Sequence, residues 1–583
     1  MTSEELRAFA RAWADEDPDP VTRREVLALL EADDEEGLRE RFGSRLEFGT
    51  AGLRGLLGAG PNRMNRMVVM RTTAGLAAYL RAALPEATRR GVVVGYDGRH
   101  LSLQSAMDAA SILAGHGIPA LLFPDFAPTP LVAFAVLHLG AAAGIMITAS
   151  HNPPQYNGYK VYWENGAQII PPHDKGISRE IDRVGSISQV PRLEEKDARA
   201  AGLWKDVPAS TQRAYLDAIR RHALGDAGKD RLTIVYTPLH GVGGPYALEA
   251  LREQGFTKIH VVEAQFEPHP NFPTVRFPNP EEEGAMDMAL ALAEKVGANL
   301  VLANDPDADR LAVAVPDPRG GFRLLSGNEI GLLLEEYLLA NDPRGGDRLV
   351  ISTIVSTPGS RRIAEHHGAR HAEVLTGFKW IANKAMDLER ETGTRFVLGF
   401  EEALGYSVGT TCRDKDGIGA AVRFAELAAA AAARGRTVLD ELEAIWRRHG
   451  LHLSRQHSVT LQGAEGARRI EAIMEALRVA PPSEIDGRSV VITRDYRAGI
   501  EKDRATGQTR PLDLPTSNVL AFFLDDGTRI IARPSGTEPK IKYYVDVRIP
   551  VPPSAPLSEV EALGQRTIQS RLSAFLRHVE ETA

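Results

Sequence analysis

The sequence predicts an α/β protein of three similar mixed, mostly parallel α/β domains and a distinct α+β C-terminal domain, arranged around a central cleft. Three observations predict it. At 583 residues the chain is too long for one hydrophobic core. Short apolar β-branched runs recur in three series separated by helical patterns, which points to βαβ units. The last run of each series leads into a loop rich in polar and charged residues, where open α/β sheets place their ligands.

The first series is Gly91–Gly95, Ala120–Phe123 and Gly144–Thr148, followed by TASHNPPQYNG. Between its first two strands, residues 102–114 read as a helix with Ser102 as N-cap and Gly115 as the stop. The second series is Leu232–Tyr236, Ile259–Val262 and Asn299–Leu302, followed by NDPDADR. The third is Leu349–Ser352, Ala372–Leu375 and Arg395–Leu398, followed by GFEEALGY. From about residue 453 the rhythm changes, and a fourth loop stands at Arg533–Lys540. The expected domains are therefore 1–224, 225–342, 343–452 and 453–583. The Ala-rich stretch 426–434 reads as a buried helix, and Gly241-Val-Gly-Gly244 as a turn.

Composition narrows the function. Acidic residues outnumber basic ones, 77 to 69, for a formal charge of -8, which argues against a general nucleic-acid or membrane-surface binder. The lone Cys412 permits no intrachain disulfide. The acidic opening MTSEELRAFARAWADEDPDP is no signal peptide, and the apolar stretch 140–148 is too short to span a bilayer. A soluble cytoplasmic protein with small-molecule partners is expected.

Each loop suggests a chemistry. In Thr148-Ala-Ser150-His151-Asn152-Pro-Pro, a serine held in a proline-stiffened turn is a candidate nucleophile. Asn157-Gly-Tyr-Lys160 adds a turn and a cation that can pair with phosphate or move a proton. Asp305, Asp307 and Asp309 alternate, and carboxylates so close repel unless a cation joins them; a hard oxygen set suits Mg²⁺. Thr376-Gly-Phe-Lys379, Glu401-Glu402 and Asp414-Lys-Asp416 offer acceptors for sugar hydroxyls. Arg533-Pro-Ser-Gly-Thr-Glu-Pro-Lys540 combines a guanidinium, two hydroxyls and a flexible glycine, the parts of an anion nest.

Together these loops resemble the α-D-phosphohexomutase superfamily of phosphoglucomutases, phosphomannomutases and phosphopentomutases. The likeness runs from Phe48-Gly-Thr-Ala-Gly-Leu-Arg54-Gly to Tyr544, and FEEALGY with the run 534–544 is closest to the phosphoglucomutase 2 and phosphopentomutase branch. The resemblance implies Ser150 as phosphoryl carrier, flanked by His151, with Arg54 and Lys160 beside the phosphoryl group and Lys160 as general acid/base. It implies Asp305, Asp307 and Asp309 as Mg²⁺ ligands, phosphoserine 150 being the fourth. Arg310, Thr376, Lys379, Glu401, Ala403 and Lys415 match positions contacting the sugar or its phosphate. Arg533, Ser535, Gly536 and Thr537 match the loop holding the phosphate that is not transferred. Many glucose-specific members read Glu-x-Ser in the sugar loop, whereas Ala403 stands here in place of the serine.

The implied reaction interconverts a sugar 1-phosphate and 6-phosphate, glucose first, through a bisphosphate such as glucose 1,6-bisphosphate. Alternatives are a phosphopentomutase acting between the 1- and 5-phosphates of ribose or deoxyribose, and a phosphomannomutase. A phosphatase would release inorganic phosphate, and a non-catalytic sugar-phosphate sensor would bind without turnover.

Overall fold

A computed structural model describes every residue except Thr50, Gln462, 536–539 and Ala583. The chain divides into two compact units, one formed by 1–325 with 404–435 and the other by 326–403 with 436–583.

The first unit begins with three helices, α1 (Ser3–Glu16), α2 (Pro20–Glu31) and α3 (Glu35–Phe42). Each start is specified locally: Thr2 and Glu5 close a capping box, Asp19 caps a helix whose first residue is proline, and Asp34 caps the third. A mixed six-stranded sheet follows, from β1 (Leu53–Leu56), β2 (Val92–Tyr96), β3 (Ala120–Leu122), β4 (Ala143–Ile147), β5 (Tyr156–Trp163) and β6 (Trp204–Asp206). Its order is β1-β5-β4-β2-β3-β6. The inner strands β4, β2 and β3 are parallel and covered on both faces, which is why they read as unbroken apolar runs. Helix α4 (Arg66–Ala83) packs against helices Ser102–Gly115 and His173–Arg183.

Two sequence expectations change here. Asn157-Gly-Tyr-Lys160 is no turn: it lies in β5, pairing antiparallel with β1 and β4. Those two partners supply the backbone bonds that override its Asn-Gly turn propensity. Ser102 is the first residue of its helix, not the N-cap. Leu101 takes the cap in a left-handed conformation, because the Ser102 hydroxyl is engaged with Asp97 at 2.7 Å. Gly115 is the last helical residue, and the chain leaves the helix at His116.

The second sheet of this unit runs β11-β10-β9-β7-β8, from β7 (Thr233–Thr237), β8 (Lys258–Val261), β9 (Leu300–Ala303), β10 (Ala312–Pro316) and β11 (Phe322–Leu324). Parallel β7, β8 and β9 give way to antiparallel β10, so the Asp-rich loop joins two paired strands.

The second unit holds parallel β12 (Arg348–Thr353), β13 (Arg370–Val374) and β14 (Arg395–Glu401). Residues 404–435, with β15 (Gly405–Val408) and the Ala-rich helix Gly417–Ala433, belong to the first unit. The C-terminal segment forms an antiparallel sheet, ordered β16-β23-β22-β21-β18-β19-β20 with β17 paired to β18. Its strands are β16 (Leu451–Thr460), β17 (Glu484–Ile485), β18 (Arg488–Asp495), β19 (Ile500–Asp503), β20 (Thr509–Pro511), β21 (Leu520–Leu524), β22 (Arg529–Pro534) and β23 (Lys540–Ile549). Met474 and Leu477 of one helix and Leu572 and Phe575 of another join Phe522, Tyr543 and Val545 in one core. Among the described residues no helix is long and apolar enough to cross a membrane.

Candidate active site

Ser150 sits in the loop that leaves β4, buried and in a left-handed backbone conformation with φ of 52°. That geometry is costly for a non-glycine residue and needs support from its surroundings. The Thr148 side chain accepts the Ser150 N–H at 2.8 Å. The main support is Arg99, whose side chain is fully buried beside Asp97. Its guanidinium donates to the carbonyls of Ser150 and Asn152, each at 2.6 Å, Pro153 at 2.9 Å and Tyr156 at 3.3 Å. Asp97 accepts from the Arg99 N–H and the Ser102 hydroxyl. Sequence reasoning missed this pair, although Asp97-Gly-Arg99 follows a parallel strand directly, where a buried charge pair is unusual.

The Ser150 hydroxyl donates to Asp305 Oδ2 at 2.9 Å and lies 3.2 Å from His151 Nδ1. Burial, with the Arg310 and Arg54 charges, pushes His151 well below its ordinary value, so its ring is neutral. Arg54, on β1, reaches the same loop through Asn152 Oδ1 at 3.0 Å.

Asp305, Asp307 and Asp309 are all buried, with ligand oxygens within 4.8 Å of one another. Asp307 also accepts from Thr129 Oγ1 at 2.6 Å and Lys160 Nζ at 2.8 Å. Lys160 reaches Asp309 at 3.1 Å, and Lys415 pairs with Asp309 at 2.7 Å. Burial disfavours the charge on Lys160, but Asp307 and Asp309 outweigh it and raise its pKa. Burial also opposes ionisation of Asp307 and Asp309, yet Lys160 holds Asp307 below the usual carboxylate range, and Lys160 with Lys415 does the same for Asp309. Asp305 goes the other way: burial and its two carboxylate neighbours push it well above that range.

These residues fit a hard dication. Asp307 Oδ1 and Asp309 Oδ1 are buried with no hydrogen-bond partner among the described residues, so both retain free acceptor capacity. All donors of the trio are carboxylate oxygens, the set that magnesium selects.

The first unit thus gathers Ser150, His151, Arg54, Lys160, the three aspartates, Arg310 and Lys415. Arg310 follows Asp309, with Glu281 at 3.5 Å. Lys415, from the segment 404–435, adds a second lysine to the Asp-rich loop.

The second unit carries Thr376, Lys379, Glu401 and Ala403. Glu401 Oε1 accepts the Gly377 N–H at 2.7 Å, which ties the end of β14 to the Thr376 loop. Glu402, the second carboxylate of the Glu401-Glu402 pair, accepts from Ser356 Oγ at 3.1 Å and Thr353 Oγ1 at 3.4 Å. Burial, with Glu401 beside it, pushes Glu402 up to about 7. Arg533, the penultimate residue of β22, stands opposite Lys542 of β23, and the Ser535 N–H donates to the Lys540 carbonyl at 2.8 Å. Gly536 and Thr537 lie outside the described residues.

Known proteins carry the same organisation. Residues 45–187, 213–320 and 326–449 match the α/β/α domains I, II and III of phosphoglucomutase/phosphomannomutase. The chain is 39% identical to a phosphoglucomutase of Staphylococcus aureus, covering 88% of this chain and 91% of that one. It is 37% identical to the human phosphopentomutase, covering 92% and 90%. Its fold matches the crystal structure of a phosphoglucomutase/phosphomannomutase family protein from Burkholderia thailandensis with a TM-score of 0.66 at 21% identity, over 92% of this chain and 98% of that one. The chain therefore belongs to the phosphoglucomutase/phosphomannomutase family of the α-D-phosphohexomutase superfamily and is a phosphosugar mutase, an intramolecular phosphotransferase.

Proposed function

We propose that the protein interconverts glucose 1-phosphate and glucose 6-phosphate through a phosphorylated Ser150, with ribose and deoxyribose phosphates as further substrates. The observation that carries this reading is the Ser150 hydroxyl 2.9 Å from Asp305, in a loop cluster that also holds Lys160. Relatives named for a hexose and for a pentose support both sugar classes.

In this reading Asp305, Asp307, Asp309 and phosphoserine 150 hold Mg²⁺, which supplies positive charge to the transferring phosphoryl oxygens. The bond from phosphorus to the Ser150 oxygen breaks as the sugar hydroxyl oxygen bonds to phosphorus. Lys160, held protonated by Asp307 and Asp309, gives its proton to the departing Ser150 oxygen and is recharged by the sugar hydroxyl proton. Arg54 and neutral His151 border the transferred group. The sugar bisphosphate then reverses, and its other phosphoryl group returns to Ser150. Arg310, Thr376, Lys379, Glu401, Ala403 and Lys415 contact the sugar or its phosphate, and Arg533, Ser535, Gly536 and Thr537 grip the phosphate not in transfer. The domains are 1–224, 225–342, 343–452 and 453–583, and the enzyme works in the cytoplasm on small phosphosugars, without nucleic acid or membrane partners. A bisphosphate such as glucose 1,6-bisphosphate charges Ser150 at the start.

Intact mass and turnover test the relay. Wild type should carry one phosphate and Ser150→Ala none, with mutase turnover lost in the variant. Wild-type-like turnover by the alanine variant would exclude the relay, and net release of inorganic phosphate would make the enzyme a phosphatase.

A further inference from the structure

Beneath β1 the first unit encloses an open cavity of about 660 Å³, a size ordinary for small-molecule sites. It is walled by α1, α4, the end of α3, the segment 44–48 and the helix His173–Arg183. None of the proposed catalytic side chains lines it.

Its lining has two characters. One side is aromatic: Phe9, Trp13 and Phe42 meet edge to face with centroids 5.7–6.3 Å apart, and Phe48 adds a fourth ring. Phe9 stays 38% exposed, a large apolar ring left uncovered at this site. The other side is charged, with Arg45 and Arg71 set beside the carboxylates of Glu47 and Asp182. Arg71 gives its Nη2 donor to the carbonyls of Val184 and Gly185, but its Nε is buried without a partner, and no ion pair joins it to a carboxylate among the described residues. The Trp13 indole N–H is likewise buried without a partner, on a residue only 5% exposed. Native structures rarely leave such donors unmet, and two on one cavity call for an acceptor that enters from outside. Arg45, paired with Asp182 at 2.5 Å, adds a second guanidinium to the wall.

We propose that this cavity binds a planar aromatic or heteroaromatic ring bearing an oxyanion, with the ring against Phe9, Trp13 and Phe48 and the anion toward Arg71. The site is coupled to the catalytic loop through β1. Leu53 lines the cavity, and the next residue, Arg54, bonds Asn152 two positions after Ser150. Successive side chains of a strand face opposite sides, so one strand presents Leu53 to the cavity and Arg54 to the catalytic loop.

Two ligand sources share this chemistry, a nucleoside monophosphate and an aromatic carboxylic acid. Calorimetry on the full-length phosphorylated enzyme, with adenosine monophosphate and with indole-3-acetate as probes, distinguishes them. One should bind with a dissociation constant at or below about a millimolar, the weak end of specific ligands. Trp13→Phe keeps the packing and removes only the N–H, and should weaken binding roughly five-fold. Phe9→Ala, at an exposed residue, should weaken it by about the same factor. Arg533→Ala, altering the proposed phosphate grip, should leave the affinity unchanged. Failure of both probes to bind, or binding that ignores Trp13→Phe and Phe9→Ala, overturns the proposal. A ligand lost with Arg533→Ala sits in the sugar-phosphate site and overturns it too.

Discussion

Arg99→Lys is the sharpest test of how the Ser150 loop is held. The arginine bridges four carbonyls from Ser150 to Tyr156, two at 2.6 Å, and pairs with Asp97 at 3.3 Å. A planar fork can serve carbonyls on two sides at once, whereas an ammonium concentrates its donors at one point. Lysine can keep the Asp97 pairing and one or two carbonyls, so at least two charge-assisted bonds are lost. At about 1.5–3 kcal/mol each, that removes roughly 3–6 kcal/mol of support from a loop already strained at Ser150. Part of this loss lowers global stability, and the rest lets the loop open locally. A displacement of the nucleophile by about 1 Å costs on the order of 10²-fold in rate. The expected result is kcat reduced about a hundredfold, with amide exchange accelerated over 149–157 while most of the fold keeps its protection. Because Arg99 acts through the loop, phosphate occupancy of Ser150 by intact mass should fall together with kcat. A folded Arg99→Lys protein with wild-type kcat and an unchanged exchange pattern would refute the clamp.

Chelation should stop phosphoryl transfer, and Mg²⁺ should restore it better than Ca²⁺, which prefers more ligands and a looser shell; Asp307→Asn should raise the Mg²⁺ concentration for half-maximal rate, and full activity in excess chelator would make the Asp-rich loop structural. Ala403→Ser should shift the ratio of kcat/KM toward glucose over ribose 1-phosphate several-fold, about 1 kcal/mol for one neutral hydrogen bond; an unchanged ratio would place sugar choice elsewhere. Glu402 has a pKa raised from 4.5 to about 7 by burial and by Glu401. The native state therefore holds its proton longer than the unfolded chain, so this residue's contribution to stability falls as pH rises between those values and is flat above them. Glu402→Gln should gain Tm relative to wild type across that window and keep a constant offset above it, and parallel Tm curves would show that Glu402 titrates normally.

The sequence displays the sheet cores plainly because parallel strands covered on both faces must be apolar throughout. Val92–Tyr96, Thr233–Thr237 and Leu300–Ala303 all fall within a residue or so of the apolar runs that announced them. The strand carrying Lys160 was hidden for the opposite reason. Its Asn157-Gly158 start favours a turn locally, and only pairing with β1 and β4, far away in sequence, makes it extended. The pairing of Lys415 with Asp309 was hidden in the same way, since the two lie far apart in the chain and only the fold brings them together.

The site's polar partners follow the same division between local and distant information. Ser150 and the three aspartates announce themselves because a short run concentrates chemistry that an ordinary turn does not need. Arg99 and Thr129 do not: Arg99 reads as one half of a local charge pair with Asp97, Thr129 as a single polar residue in an apolar neighbourhood, and the meaning of each depends on what the fold sets opposite it. Thr129 begins a helix with no acidic residue in its first turn, yet its hydroxyl and N–H are both committed to Asp307. Those two bonds fix one aspartate from behind while Lys160 holds it from another strand. Among the described residues Asp305 pairs with neither a lysine nor a threonine; its carboxylate accepts from the Arg310 N–H and the Ser150 hydroxyl. Its burial is therefore the least compensated of the three, which accounts for its opposite pKa shift and makes it the carboxylate that gains most from a bound cation.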